Sequence, residues 1–194
     1  MKITKLKNRL KGATCYLAGP MDRVPDGGEG WRKWITPQLQ ELGIVVLDPC
    51  NKPIDIGIED MEHRQRRQVW KAQGKYNKLA EDMKLIRVTD LALVDNANFM
   101  IVYWNTDVHM CGTLEEVFLS NRMKRPILIM CEQGKVGMPD WMFGVLPHEH
   151  FFDSWNSLLV ELTCIAGGFE DKTGRWMFFD FIKLHRGHEL ESTH

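Results

Sequence analysis

The sequence has no long apolar run. No segment approaches the roughly 20 consecutive apolar residues that a bilayer-spanning helix needs, so no membrane partner is expected. The basic start, with Lys2, Lys5 and Lys7, has no apolar stretch behind it, which argues against a secretory signal. There is no C-x-x-C pair either. The five cysteines, Cys15, Cys50, Cys111, Cys131 and Cys164, are odd in number and scattered, the pattern of reduced thiols in a cytoplasmic protein. Nor is there an excess of one charge. The net charge of −1 excludes the strong overall field that draws a protein to a nucleic-acid polymer. Neither the G-x-G-x-x-G fingerprint nor the G-x-x-x-x-G-K-[ST] phosphate loop occurs, and no cofactor is expected. The clusters His109-Met110-Cys111 and His148-Glu149-His150 lack zinc-ligand spacing, so no metal site is expected. Repeats, low-complexity tracts and linkers are missing. Residues 1–194 therefore read as one domain, with a core over 13–167 and an aromatic tail over 168–194. A chain of 194 residues needs no staples, because at this size roughly 70% of the unfolded surface is buried.

What is present is an alternation of apolar runs and helical patterns. The run 13–18 predicts a buried first strand that ends in the turn Gly19-Pro20. Trp31, Trp34, Ile35, Leu39 and Leu42 have helical spacing, and Gly43 closes that helix. Residues 44–47, 99–103 and 126–130 predict further strands. Residues 59–85 predict one or two helices, 90–97 a short separate helix, 133–147 a loop-rich stretch and 155–166 a last helix. Strands that are apolar throughout and alternate with helices predict a parallel sheet covered on both faces. Ligands of such sheets bind beyond the carboxyl ends of the strands. That rule points to the loops after Ala18, Leu47 and Tyr103.

Three motifs lie in or near those loops. In Tyr16-Leu17-Ala18-Gly19-Pro20-Met21-Asp22, glycine permits a close approach of ligand to backbone and proline stiffens the turn; an ordinary strand–turn–helix junction uses the same residues. In Cys111-Gly112-Thr113-Leu114-Glu115-Glu116, Thr113 is placed to cap a helix, with both glutamates in its first turn, where the helix dipole favours carboxylates. A plain capping box of Thr113 with Glu116 has the same pattern. Asp90 precedes the third strand by about two helical turns and equally suits a helix cap. The basic run His63-Arg64-Gln65-Arg66-Arg67 with Lys71 reads as a solvated helix face, with a phosphate contact as its rival. Trp176, Phe178, Phe179 and Phe181 read as packing residues.

Tyr16-Leu17-Ala18-Gly19-Pro20, Gly30-Trp31-Arg32, Asp48-Pro49, Asp90, and Gly112-Thr113 leading to Glu116 occur in an order and spacing that resemble the nucleoside 2-deoxyribosyltransferase superfamily, over about residues 13–130. The resemblance implies a flavodoxin-like sheet of about five strands and cleavage of an N-glycosidic bond in a nucleoside or nucleotide. It implies Glu116 as the nucleophile on the anomeric carbon, Asp90 as the group that meets and protonates the base, and Tyr16 as the residue that positions Glu116. Gly19, Pro20, Met21, Asp22, Trp31, Asp107, Gly112 and Thr113 are the implied substrate contacts. Pro20 after Gly19 favours a nucleoside over a nucleotide. A second base as acceptor makes a transferase and water makes a hydrolase; a non-catalytic nucleotide-binding module is the remaining alternative.

The chain departs from the pattern in three places. It has Ala97-Asn98 where many relatives have Ala-Asp, and His109-Met110-Cys111 where many have an acid just before Gly-Thr, with Asp107 further back. It also has no tyrosine in the tail, since the three tyrosines are Tyr16, Tyr76 and Tyr103. The resemblance further implies a homo-oligomer whose subunits share active sites. The tail residues Phe169, Trp176, Met177, Phe178, Phe179, Phe181 and Ile182 hold more apolar surface than a free tail exposes, and Trp176 or Asp180 is the expected reaching group. A tail folded back on its own domain is the alternative.

Overall fold

Residues 8–168 and 174–179 are described in this computed structural model. Five strands form one parallel sheet: β1 (Thr14–Ala18), β2 (Val45–Leu47), β3 (Phe99–Trp104), β4 (Ile127–Cys131) and β5 (Phe151–Phe152). Their spatial order is β2-β1-β3-β4-β5, the flavodoxin-like order. The helices are α1 (Glu29–Glu41), α2 (Met61–Ala72), α3 (Tyr76–Asn96), α4 (Cys111–Arg122), α5 (Asp140–Val145) and α6 (Trp155–Ala166). The α/β architecture expected from the sequence is therefore the one observed.

Burial on both faces explains the unbroken apolar strands. Cys15, Leu17, Phe99, Ile101, Leu128 and Met130 face Ile35 and Leu39 of α1 and Leu158, Leu162 and Ile165 of α6. Their neighbours in sequence, Tyr16, Ala18, Met100, Val102, Ile127 and Ile129, face Val94 of α3, Val117 of α4 and Met142 of α5. This is the two-residue alternation of a strand, with apolar residues demanded on each side.

Four local expectations need correction. The predicted short helix over 90–97 is the last part of the 21-residue α3, because no glycine or proline interrupts residues 76–96. The turn Gln73-Gly74-Lys75, with Gly74 at φ 66°, separates α3 from α2. Thr113 does not cap α4. The N-cap is the buried Met110, without a side-chain cap bond, and Leu114 N–H donates to the Met110 carbonyl at 3.0 Å. Packing of Met110 sets the start of α4, so the Thr113–Glu116 capping box does not form and both glutamates fall beyond the first turn. The stretch 133–147 contains a 3₁₀ turn at Lys135–Gly137 and α5, and the edge strand β5 is too short to register as a pattern. Finally, the basic face of α2 is not all solvated. Arg64 and Arg67 are buried. The Arg64 guanidinium fills the space beside Gly27 where a side chain would stand, and its Nη1 donates to the Met21 carbonyl at 3.1 Å. Arg67 Nη1 donates to Asp82 Oδ2 of α3 at 3.2 Å.

The amino end of the sheet is closed by the chain itself. Trp176 lies 5.1 Å from the Phe99 ring and stacks on Phe179 at 5.5 Å, and both tail residues are buried. Trp176 is thus a core residue of its own chain rather than a group reaching a neighbour. Phe169, Asp180, Phe181 and Ile182 lie outside the described residues. Among the described residues no helix is long and apolar enough to cross a membrane.

Candidate active site

Strand alternation turns Tyr16 toward α3 and α4, and α4 turns Glu116 back toward β1. The Tyr16 hydroxyl donates to Glu116 Oε1 at 2.7 Å, deep in the protein. Burial pushes the Glu116 carboxyl up to about 7; the Tyr16 bond and the Arg32 charge pull the other way. Burial and the nearby Glu116 and Asp90 raise the Tyr16 phenol well above its ordinary value, so it remains a donor. Glu115 has a different fate. One residue of helix rotates it about 100° away. There it is partly exposed and pairs with Arg87 of α3, which lowers its carboxyl. Two adjacent glutamates thus have opposite environments, and only Glu116 is buried among polar partners.

Asp90 stands on α3 facing the same space. Lys52, from the loop between β2 and α2, places Nζ 2.8 Å from Asp90 Oδ1, at an angle that departs from a good hydrogen bond. The same ammonium donates to Glu59 Oε1 at 2.9 Å and to the Gly57 carbonyl at 2.5 Å. Burial, then the Glu59 charge, push the Asp90 carboxyl up to about 8; Lys52 opposes them and Glu116 adds to them. The charges of Glu116 and Asp90 act on Tyr16, and that of Glu116 acts on Asp90, so the structure brings these three residues together. A buried carboxylate near neutrality beside a buried carboxylic acid is an arrangement suited to nucleophilic and acid chemistry on one bond.

Arg32 of α1 organises the loop after β1. Its buried guanidinium donates to the carbonyls of Leu17, Gly19 and Gly28 at 3.2, 3.2 and 2.7 Å, and lies 3.6 Å from Asp48 Oδ1 beyond β2. Gly28 takes φ 76°, and a side chain there would meet the Pro20 carbonyl at 2.3 Å. The space beside Gly19 is not left for a ligand. A Cβ there would lie 2.9 Å from Trp31 Cζ2, so Trp31 occupies it. Gly112 differs: nothing lies within 4 Å of its missing Cβ, and open space adjoins the start of α4. Thr113 is buried one turn before Glu116.

No protein-family model matches the chain, and no curated protein matches it in sequence. Solved structures do match. One is a 2-deoxyribosyltransferase from the psychrotolerant bacterium Bacillus psychrosaccharolyticus, 16% identical, with a TM-score of 0.50. The match covers 77% of this chain and 96% of that one. At this identity the likeness shows a shared fold.

The expected substrate contacts divide between the two faces of the sheet. Pro20 and Trp31 line a cleft of about 280 Å³ with Tyr103, Asn105, Glu132 and Trp155, on the α1 and α6 side. That cleft does not include Tyr16, Asp90 or Glu116, which lie on the α3 and α4 side. The cleft has a polar pair of its own, since the Tyr103 hydroxyl donates to Glu132 Oε2 at 3.0 Å and Asp26 lines the same space. We place the chemistry with the buried polar cluster, because the two carboxyls that burial raises, Glu116 and Asp90, belong to it. Met21 is partly exposed and Asp22 exposed. Asp107 is exposed on the loop before α4, where its Oδ2 accepts from Gln133 Nε2 at 3.1 Å. The departure at Asn98 falls at the amino end of the sheet. Asn98 Oδ1 accepts from the Thr14 backbone N–H at 2.8 Å and ties β3 to β1, away from the site. The residues that sequence reasoning missed are Lys52 and Glu59. They sit in a polar stretch with turn composition, and nothing local marks them as buried. Arg32 stands in Gly30-Trp31-Arg32 as part of a helix start, and no local pattern marks its anchoring of the loop after β1.

Proposed function

We propose that this protein cleaves the N-glycosidic bond of a nucleoside or deoxynucleoside and transfers the sugar to a second base. The observation that carries the reading is the buried Tyr16–Glu116 hydrogen bond beside Asp90, at the carboxyl edge of a flavodoxin-like sheet. The fold shared with a 2-deoxyribosyltransferase supports it. In this reading Tyr16 holds Glu116 Oε1 and leaves Oε2 to attack the anomeric carbon. The sugar develops oxocarbenium character while negative charge grows on the base. Glu116 traps the sugar as a covalent ester, as retaining glycosidases do. Asp90 gives its proton to the departing base, a contribution of about 10²–10⁴-fold. An incoming base then displaces Glu116, and two displacements retain the configuration.

Incubation with a deoxynucleoside, with and without an acceptor base, tests the reading. A new nucleoside is the expected product. Free base alone makes the protein an N-glycoside hydrolase, and no turnover across purine and pyrimidine substrates refutes the enzymatic reading in favour of a nucleotide-binding module. Nucleosides are the proposed substrates rather than monophosphates, because Pro20 stiffens the first loop where a phosphate would need open backbone.

The same proposal includes a single domain, a cytoplasmic location and a homo-oligomeric working unit. The five free thiols support a reducing compartment. The order of motifs shared with a superfamily whose subunits share active sites supports the oligomer. A sedimenting monomer with full activity, unchanged per chain on dilution, refutes the oligomer.

A further inference from the structure

The Lys52 ammonium donates to Gly57 O and Glu59 Oε1 and forms a close ion pair with Asp90 Oδ1 at 2.8 Å. Lys52 and Glu59 side chains are 4% and 8% exposed, so the pair is inside the protein. Asp90 Oδ1 is fully buried against Lys52, yet the Asp90 side chain keeps 11% of its surface exposed. No hydrogen bond engages Oδ2 among the described residues. The two oxygens of Asp90 thus have separate duties.

The charge balance of the surroundings is unequal. Asp90 is faced by Lys52 and Glu59 from the β2–α2 loop, by Glu116 from α4 and by Tyr16 from β1. On its own helix, Arg87 is turned outward to Glu115. Arg32 acts on Glu116 but is committed to Asp48 and three carbonyls. One ammonium therefore serves two buried carboxyl groups, Glu59 and Asp90, while the charge of a third, Glu116, also bears on Asp90. Burying that much negative charge is costly, and uptake of a proton relieves it.

We propose that Lys52 and Glu59 are positioning residues for Asp90: the Lys52 ammonium fixes Oδ1, so that the acid proton resides on Oδ2 facing the substrate, and the Glu59 carboxylate that shares this ammonium keeps the proton there. The inference rests on the reading of Asp90 as the acid for the departing base. It also explains how the cluster survives the reaction. As the C1′–N bond breaks, its electron pair passes to the base, which takes the Oδ2 proton. Glu116 simultaneously becomes a neutral ester. The negative charge lost at Glu116 reappears on Asp90, beside Lys52, and the buried total is unchanged.

The test pairs a direct titration with turnover. Carboxyl ¹³C NMR follows Asp90 in the wild type, Glu59→Gln, Lys52→Met and Lys52→Arg. Glu59→Gln removes a charge that raises Asp90, so its midpoint falls; Lys52→Met removes a charge that lowers it, so its midpoint rises; Lys52→Arg stays near the wild type. In turnover, a fall of one unit costs Glu59→Gln about tenfold in kcat/KM at pH 9 for an ordinary purine deoxynucleoside. A 7-methylated purine nucleoside leaves as a neutral base without a proton, and its turnover should not change. Should Lys52→Met fail to fold by circular dichroism, Glu59→Gln carries the test alone. An Asp90 midpoint that stays put in Glu59→Gln overturns the inference, whatever the activity. Equal losses for both substrates overturn it too. Midpoints that move as expected in a protein that turns over neither substrate uphold the proton-setting role and sink the proposed function instead.

Discussion

The Tyr16→Phe substitution isolates one contact. It keeps the ring, which belongs to the same buried cluster as Val117 and Ala18, and deletes only the hydroxyl that donates to Glu116 Oε1 at 2.7 Å. A buried hydrogen bond to a charged group contributes about 1.5–3 kcal/mol. Here the charged form of Glu116 is the one that accepts it, so its loss raises the carboxyl by about one to two pH units. From a starting value of about 7, the ionised fraction at pH 7 drops from about half to between roughly 10% and 1%. The expected loss in kcat/KM at pH 7 is therefore about 5- to 50-fold. Part of it returns at higher pH, up to the point near 8 where Asp90 gives up its proton. The assay is the pH dependence of kcat/KM, whose acid limb reports the free enzyme. An acid limb that stays in place in Tyr16→Phe refutes the reasoning, because then the phenol does not stabilise the Glu116 carboxylate.

Glu116→Ala should abolish turnover, at least 10³-fold, while Glu115→Ala should retain most of it, since an exposed pair such as Arg87–Glu115 contributes at most about 1 kcal/mol; steady-state rates of the two variants decide. Stability follows the same carboxyls. Glu116 and Asp90 are raised in the folded chain, so the folded state binds more protons than the unfolded one between about pH 4 and their values near 7 and 8. The contribution of these two groups to stability is then fully present below that window and is lost as pH rises through it. Calorimetry should find Glu116→Gln more stabilising at pH 8 than at pH 5; the reverse order would mean that burial is not the dominant influence. Trp176→Ala should cost about 3–5 kcal/mol of stability by opening a cavity against Phe99 and Phe179. Because that packing closes its own core, the sedimentation coefficient should not change, and a variant that only dissociates without loss of Tm would contradict the packing.

Much of the frame is legible in the sequence because parallel strands buried on both faces leave unbroken apolar runs. β1, β3 and β4 are of this kind. β5 escapes because two residues make no pattern. Tyr16, Asp90 and Glu116 are legible through their order along the chain, and the structure brings the three together. What local patterns did not carry is depth. Arg64 and Arg67 look like any basic helix surface until Gly27 and Asp82 are found beneath them. Lys52 and Glu59 lie in a loop whose composition signals only a turn, yet tertiary packing buries both against Asp90. Thr113 has the residue type of a cap, but the packing of Met110 starts the helix earlier.

The Arg32 guanidinium has a mechanical consequence. It ties the end of β1, the turn at Gly19, the entrance of α1 and the residue after β2 to one planar group. These pieces move together or not at all, since releasing any one leaves a buried cation short of a partner. That side of the carboxyl edge is a stiff plate. On the facing side the ties run pairwise instead, from Tyr16 of β1 to Glu116 and from Arg87 of α3 to Glu115 of α4. Under the proposed function, a substrate therefore meets a loop after β1 that keeps its shape.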